Sequence, residues 1–115
     1  AGQQAKSLFE ITRQFPKEER YSLTDQIRRS SRAVNAMIAE AWARRAYRAV
    51  FVHKLSEALG EASETQAWLD HSRACGYIDN DKHRTLNDEW QRIGGMLHSM
   101  IQKADDFCGG PKDKR

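Results

Sequence analysis

Apolar positions recur every third or fourth residue along most of this 115-residue chain, most clearly between Ser22 and Arg48. Leu23, Ile27, Ser30, Val34, Ile38, Ala41 and Trp42 share one stripe there, the i, i+4, i+7 spacing of a helix that faces a core. Ahead of it, Ala5 to Gln14 reads as a first helix with Leu8, Ile11 and Thr12 or Phe15 on its inner face. Phe15-Pro16 ends that helix, because the residue before a proline is pushed out of the α region. Lys17 to Tyr21 is then a charged connection. Ser22, with Asp25 three positions on, resembles a capping box, so the second helix is predicted from Ser22 to about Arg44.

A short turn follows, because the apolar phase resets at Phe51. The third stripe is Leu55, Ala58, Ala62, Thr65, Leu69 and Ser72, and its helix ends at Gly76, where a left-handed cap is expected. Tyr77 to Asn80 forms a turn, with Asp79 or Asn80 capping a fourth helix. That helix carries Leu86, Trp90, Ile93, Leu97, Met100 or Ile101, Ala104 and Phe107. Gly94-Gly95 inside it predicts a close helix–helix approach. Residues 1–108 thus form one all-α domain, an up-and-down four-helix bundle, and 109–115 a disordered tail.

Composition supports the helical reading. With two prolines and seven glycines, long stretches rich in Ala, Glu, Arg, Leu and Gln run without a breaker. No segment approaches the ~18 consecutive apolar residues of a membrane span. The opening AGQQAKSL lacks the apolar core of a secretory signal, so the expected address is the cytoplasm. Cys75 and Cys108 would lie at opposite ends of a helical hairpin, about 40 Å apart at 1.5 Å per residue, too far for a disulfide.

Charge is sharply partitioned. Between Arg28 and Lys54 stand Arg28, Arg29, Arg32, Arg44, Arg45, Arg48 and Lys54, opposed by Glu40 alone. From Leu55 to Asp70 there are four acids, Glu57, Glu61, Glu64 and Asp70, and no lysine or arginine. A solvated face ordinarily mixes signs, so the segregation points to a polyanion. The guanidinium fork suits phosphate oxygens. The opposing interpretation is that these cations are solvated or pair with acids on a neighbouring element or subunit.

No catalytic or metal motif emerges. His53, His71, His83 and His98 form no i, i+4 pair. The residues three before them, Val50, Trp68, Asn80 and Gly95, exclude the Glu-x-x-His ligand pattern of di-iron bundles. No cofactor and no enzymatic activity are expected. Trp42, Trp68 and Trp90 fall on or beside apolar stripes, where core or subunit-interface packing is their ordinary role.

The ordered series Phe15-Pro16-Lys17-Glu18-Glu19-Arg20-Tyr21-Ser22-Leu23, Gln26-Ile27-Arg28-Arg29, Ile38-Ala39-Glu40, then Phe51, Leu55, Ala58, Gly60 and Glu64, then Gly76-Tyr77-Ile78, resembles a known family. It is that of the four-helix-bundle proteins encoded in intervening sequences of bacterial 23S ribosomal RNA genes. The related accessory variability determinant proteins of diversity-generating retroelements share it. The resemblance covers about Phe15 to Phe107; Ala41, Glu61 and Ala46-Tyr47 depart from the pattern. It implies a homopentameric barrel, a basic surface suited to nucleic acid, a reverse-transcriptase partner in the retroelement branch, and no enzymatic role. Arg28, Arg29 and Arg44 match basic positions of the family; Arg32 and Arg48 rest on the charge argument.

Two functions follow as expectations. The first is a non-catalytic, oligomeric bundle binding RNA or DNA through phosphate contacts from the second helix and the start of the third. The second is a protein–protein scaffold, for example a partner of a reverse transcriptase, whose arginines form intersubunit salt bridges.

Overall fold

A computed structural model describes residues 1–108 of the chain, and the expected tail at 109–115 lies outside the described residues. Five helices follow in order: α1 Gly2–Thr12, α2 Asp25–Ala43, α3 Arg48–Ala74, α4 Asn80–Gln102 and the short α5 Ala104–Phe107. No strand occurs among the described residues. Helix α3 packs against α2 on one side and α4 on the other, and α1 folds back along the first half of α2. The result is an elongated helical bundle, 55 × 24 × 18 Å along its principal axes. None of the helices among the described residues is long and apolar enough to cross a membrane.

The stripes determine this packing. Phe51, Leu55, Ala58, Ala62, Thr65, Leu69 and Ser72 of α3 are all buried, and so are Ile27, Ser30, Val34 and Ala41 of α2. Helix α4 contributes Leu86, Trp90, Ile93 and Leu97. Each fully buried Leu, Ile or Phe contributes about 1.5–3 kcal/mol. At the α2–α3 seam the hydroxyls of Ser30 and Thr65, both wholly buried, lie 2.8 Å apart. Each hydroxyl also has a backbone acceptor on its own helix, the Glu61 carbonyl for Thr65 at 2.9 Å and the Ile27 carbonyl for Ser30 at 3.4 Å, so either can donate the shared bond. That polar pair pins the register of two otherwise apolar faces.

Helix ends depart from the expected pattern in three places. Helix α1 begins at Gly2, three residues earlier than predicted, and the Thr12 hydroxyl turns back to the Phe9 carbonyl at 2.9 Å. Ser22 caps nothing. Pro16 is extended (φ −56°, ψ 144°), and the chain becomes helical again at once, through a 3₁₀ turn at Lys17–Glu19 and a π-helical turn at Arg20–Thr24 that lead into α2. The predicted charged connection is therefore helical, and the Ser22 hydroxyl serves Glu19 at 2.6 Å. The reason is that proline, which ends the preceding helix, is itself suited to open the next one.

The fourth predicted helix breaks at Lys103 (φ −103°, ψ 27°), and α5 resumes it. The break sets Phe107 beside Phe51 and edge-on to Trp42, with ring centroids 6.0 and 6.3 Å apart. The Gly94-Gly95 pair is not a close-approach point. A Cβ on Gly94 would meet Leu59 Cδ1 at 3.6 Å, an ordinary contact, and one on Gly95 would meet open space.

Two ends match expectation. Gly76 has φ +78°, its N–H reaches the Arg73 carbonyl and the Tyr77 N–H reaches Ser72, a Schellman closure of α3. Asp79 caps α4 by accepting the Lys82 amide at 2.7 Å. Cys75 is exposed and Cys108 buried, at the ends of α3 and α5, and no disulfide joins them.

Candidate nucleic-acid interface

The seven cations singled out in the sequence divide into two groups on α2 and at its end. Arg28, Arg29 and Arg32 lie in the first half of α2; Arg44 and Arg45 follow its last turn, and Arg48 opens α3. Sixteen residues separate Arg28 from Arg44, about 24 Å along a helix axis. Lys54 stands farther along α3.

Three of the seven face carboxylates. Arg29 reaches Glu64 at 2.6 Å and Glu61 at 3.7 Å, Arg48 reaches Asp105 at 2.7 Å, and Lys54 lies 3.5 Å from Glu40 and 3.4 Å from Glu57. The hydrogen bond to Glu57, followed by the charge of Glu40, raises the Lys54 pKa. None of these pairs is buried: Arg29 is 54% exposed, and its partner Glu64 37%. Exposed pairs of this kind contribute little to stability, so the side chains can exchange partners.

Among the described residues, the other four form no ion pair with a carboxylate. Arg28 donates from Nε to the Thr12 hydroxyl at 2.8 Å and lies 4.2 Å over the Phe9 ring, which fastens α1 to α2. Partial burial, and next the charge of Arg32, hold its pKa below the usual guanidinium value. Arg32 is exposed beside the same ring at 5.5 Å. Arg45 covers Trp42 at 4.2 Å and donates to the Trp42 carbonyl, and Arg44 projects into solvent.

Folding α1 against α2 adds cations that the charge window beginning at Arg28 left out. One cleft is lined by Lys6, Phe9, Arg32 and Asn35 among others. A second holds Asp25, Arg28, Arg29 and Arg32. A third is formed by Thr12, Arg13, Lys17, Arg20, Thr24 and Arg28 around Phe15-Pro16. Arg32 joins the first to the second and Arg28 joins the second to the third, so the three make one continuous surface. Lys6, Arg13, Lys17 and Arg20 belong to it; Asp25 lies within these clefts, and Glu10 beside Arg13 and Glu64 beside Arg29 border them. Such an array, rich in guanidinium and poor in carboxylate, can hold a chain of phosphates. Among the described residues, no cluster of three or more His, Cys, Asp or Glu could hold a metal ion.

Comparison with known proteins agrees with the fold. The family model described as 23S rRNA-intervening sequence protein matches residues 1–99. Among solved structures the chain is similar to a protein of unknown function from the S23 ribosomal protein family of Bacteroides thetaiotaomicron. The two are 30% identical, with a TM-score of 0.73 over 84% of this chain and 87% of that one. No curated protein matches.

Proposed function

Because the chain belongs to the 23S rRNA-intervening sequence protein family, we propose that it is a non-catalytic bundle that holds RNA or DNA through phosphate contacts on the α1–α2 face. The observation that carries this reading is the run of cations from Lys6 through Arg32 and Arg28 to Arg13, Lys17 and Arg20, with Asp25 within the clefts and Glu10 and Glu64 at their edges. Phosphate-led binding of this kind carries little sequence information and depends steeply on salt. Six contacts lower affinity by about three decades between 50 and 200 mM salt.

The test is fluorescence anisotropy with an oligonucleotide bearing hydroxyl ends, titrated across that salt range. Lys6→Ala with Arg32→Ala, both exposed, is expected to reduce the slope of log affinity against log salt by about two. Affinity indifferent to salt, or a slope unchanged in the double variant, refutes the reading.

The α2–α3 turn favours a second reading for its own surface. Trp42 is 47% exposed and Tyr47 66%, beside Arg44 and Arg45. Trp, Tyr and Arg are the residue types that dominate protein interfaces. This end is suited to assembly into a homo-oligomer, the pentamer that the resemblance implies, or to a partner such as a reverse transcriptase.

A further inference from the structure

We propose that the cleft between the end of α1 and the start of α2 is a seat for a single phosphate group, the terminal phosphomonoester of a nucleic-acid strand. The inference rests on the nucleic-acid reading and deepens it, since a surface that tracks phosphates does not require a place built for one of them.

The cleft is specific in composition. Arg13, Lys17, Arg20 and Arg28 line it together with Thr12 and Thr24, and no carboxylate lines it. Its volume of 250 Å³ falls below the ~300–1,000 Å³ of pockets for drug-sized ligands. A phosphate with part of its sugar suits that space better than a base stack.

Two features show the site to be prepared in advance. Thr24 is only 5% exposed, yet its hydroxyl has no hydrogen-bond partner among the described residues and borders the cleft. That hydroxyl is not sealed from solvent, so it stands open to the cleft and can donate to a group that enters. Arg28 is held by Thr12 at Nε and by a long 3.4 Å contact from Nη2 to the Phe9 carbonyl. Its remaining N–H groups are fixed in direction before any ligand arrives. Arg13 and Arg20 add their charge at the rim and form no ion pair among the described residues; after burial and Arg32, both help depress the Arg28 pKa.

Charge then discriminates among phosphates. An internal diester carries one negative charge, whereas a terminal monoester carries between one and a half and two near neutral pH. Crowded cations repel one another, and a dianion among them relieves more of that repulsion than a monoanion.

The experiment compares one RNA sequence made with a 5′-hydroxyl, a 5′-monophosphate or a 3′-monophosphate, binding to the full chain at fixed moderate salt. A phosphorylated end is expected to bind about tenfold more tightly than the hydroxyl-ended strand, the scale of a few added charge-assisted contacts. Inorganic phosphate in millimolar excess should erase that difference while leaving the hydroxyl-ended strand bound. Arg13→Ala with Arg20→Ala, both exposed and so compatible with folding, should abolish the preference, and Thr24→Val should weaken it. Equal affinity of the wild-type chain for the three strands, or a preference that survives in the double arginine variant, overturns the proposal. Bound strands without end preference sink the cleft alone, whereas strands that do not bind at all sink the nucleic-acid reading itself.

Discussion

Tyr77 shows how one side chain ties distant parts of the chain together. It follows Gly76 directly, its ring lies 5.4 Å from that of Phe15, and its hydroxyl donates to Glu19 at 2.7 Å. The α3–α4 turn is thereby fastened to the 3₁₀ turn that begins the second helical segment. The bond to Glu19 comes first among the causes that push the Tyr77 pKa up to about 12. On the other side, hydrogen bonds from Ser22 and then Tyr77 lower the Glu19 pKa. The signs differ. Raising a phenol's pKa stabilises the fold below its unfolded value near 10, and this contribution disappears as pH climbs from about 10 to 12. Lowering a carboxyl's pKa stabilises the fold above its unfolded value and is lost as acid protonates it. Tyr77→Phe should therefore flatten the alkaline limb of a stability-against-pH curve, read as the urea midpoint, and soften the acid limb. Identical curves for the two proteins would deny the bond a role.

Among the helices, the apolar stripes could be read in advance and several of the ends could not. All seven α3 core positions, from Phe51 to Ser72, follow from alternating steps of three and four, because burial imposes that period directly. Ends depend on local competition. Ser22 has the spacing of a cap, but Glu19 lies within reach of the same hydroxyl, and Pro16 had already provided a start. Glycine is similarly ambiguous until its surroundings are known. Gly76, at φ +78°, resists any side chain, so Gly76→Ala should cost about 1–2 kcal/mol. Gly95 sits mid-helix in α4, and a Cβ there would meet open space. Gly95→Ala should stabilise by about 0.5–1 kcal/mol in thermal or urea unfolding. Destabilisation at position 95 would place another molecule against that face.

For the whole molecule, the linear charge count and the spatial one disagree, and the fold explains why. Acids of α3 sit beside the cations that face them, as Glu61 and Glu64 do for Arg29, and Glu57 for Lys54. Among the described residues, Arg28 and Arg32, turned toward α1, form no such ion pair. The candidate surface was therefore half legible: Arg28 and Arg32 came from their density along α2, whereas Lys6, Arg13, Lys17 and Arg20 joined only when α1 folded back. Assembly would multiply that surface. Static light scattering should return several times the 13.2 kDa chain mass, five times if the resemblance extends to quaternary structure. Trp42→Asp with Tyr47→Asp should reduce it to one chain if the α2–α3 turn forms the contact. A wild-type monomer at micromolar concentration would rule out the oligomer.

The wide turn at Arg20–Thr24 has one more effect. A π-helical turn inserts a residue without lengthening the register, which shifts everything on its N-terminal side by about 100° around the axis. With the insertion, Arg20 projects within about 20° of Arg28; a regular α-helix would leave them about 80° apart. Regularising that turn to plain α-helix with every residue kept would thus rotate Arg20 off the azimuth it shares with Arg28, without removing a single charge.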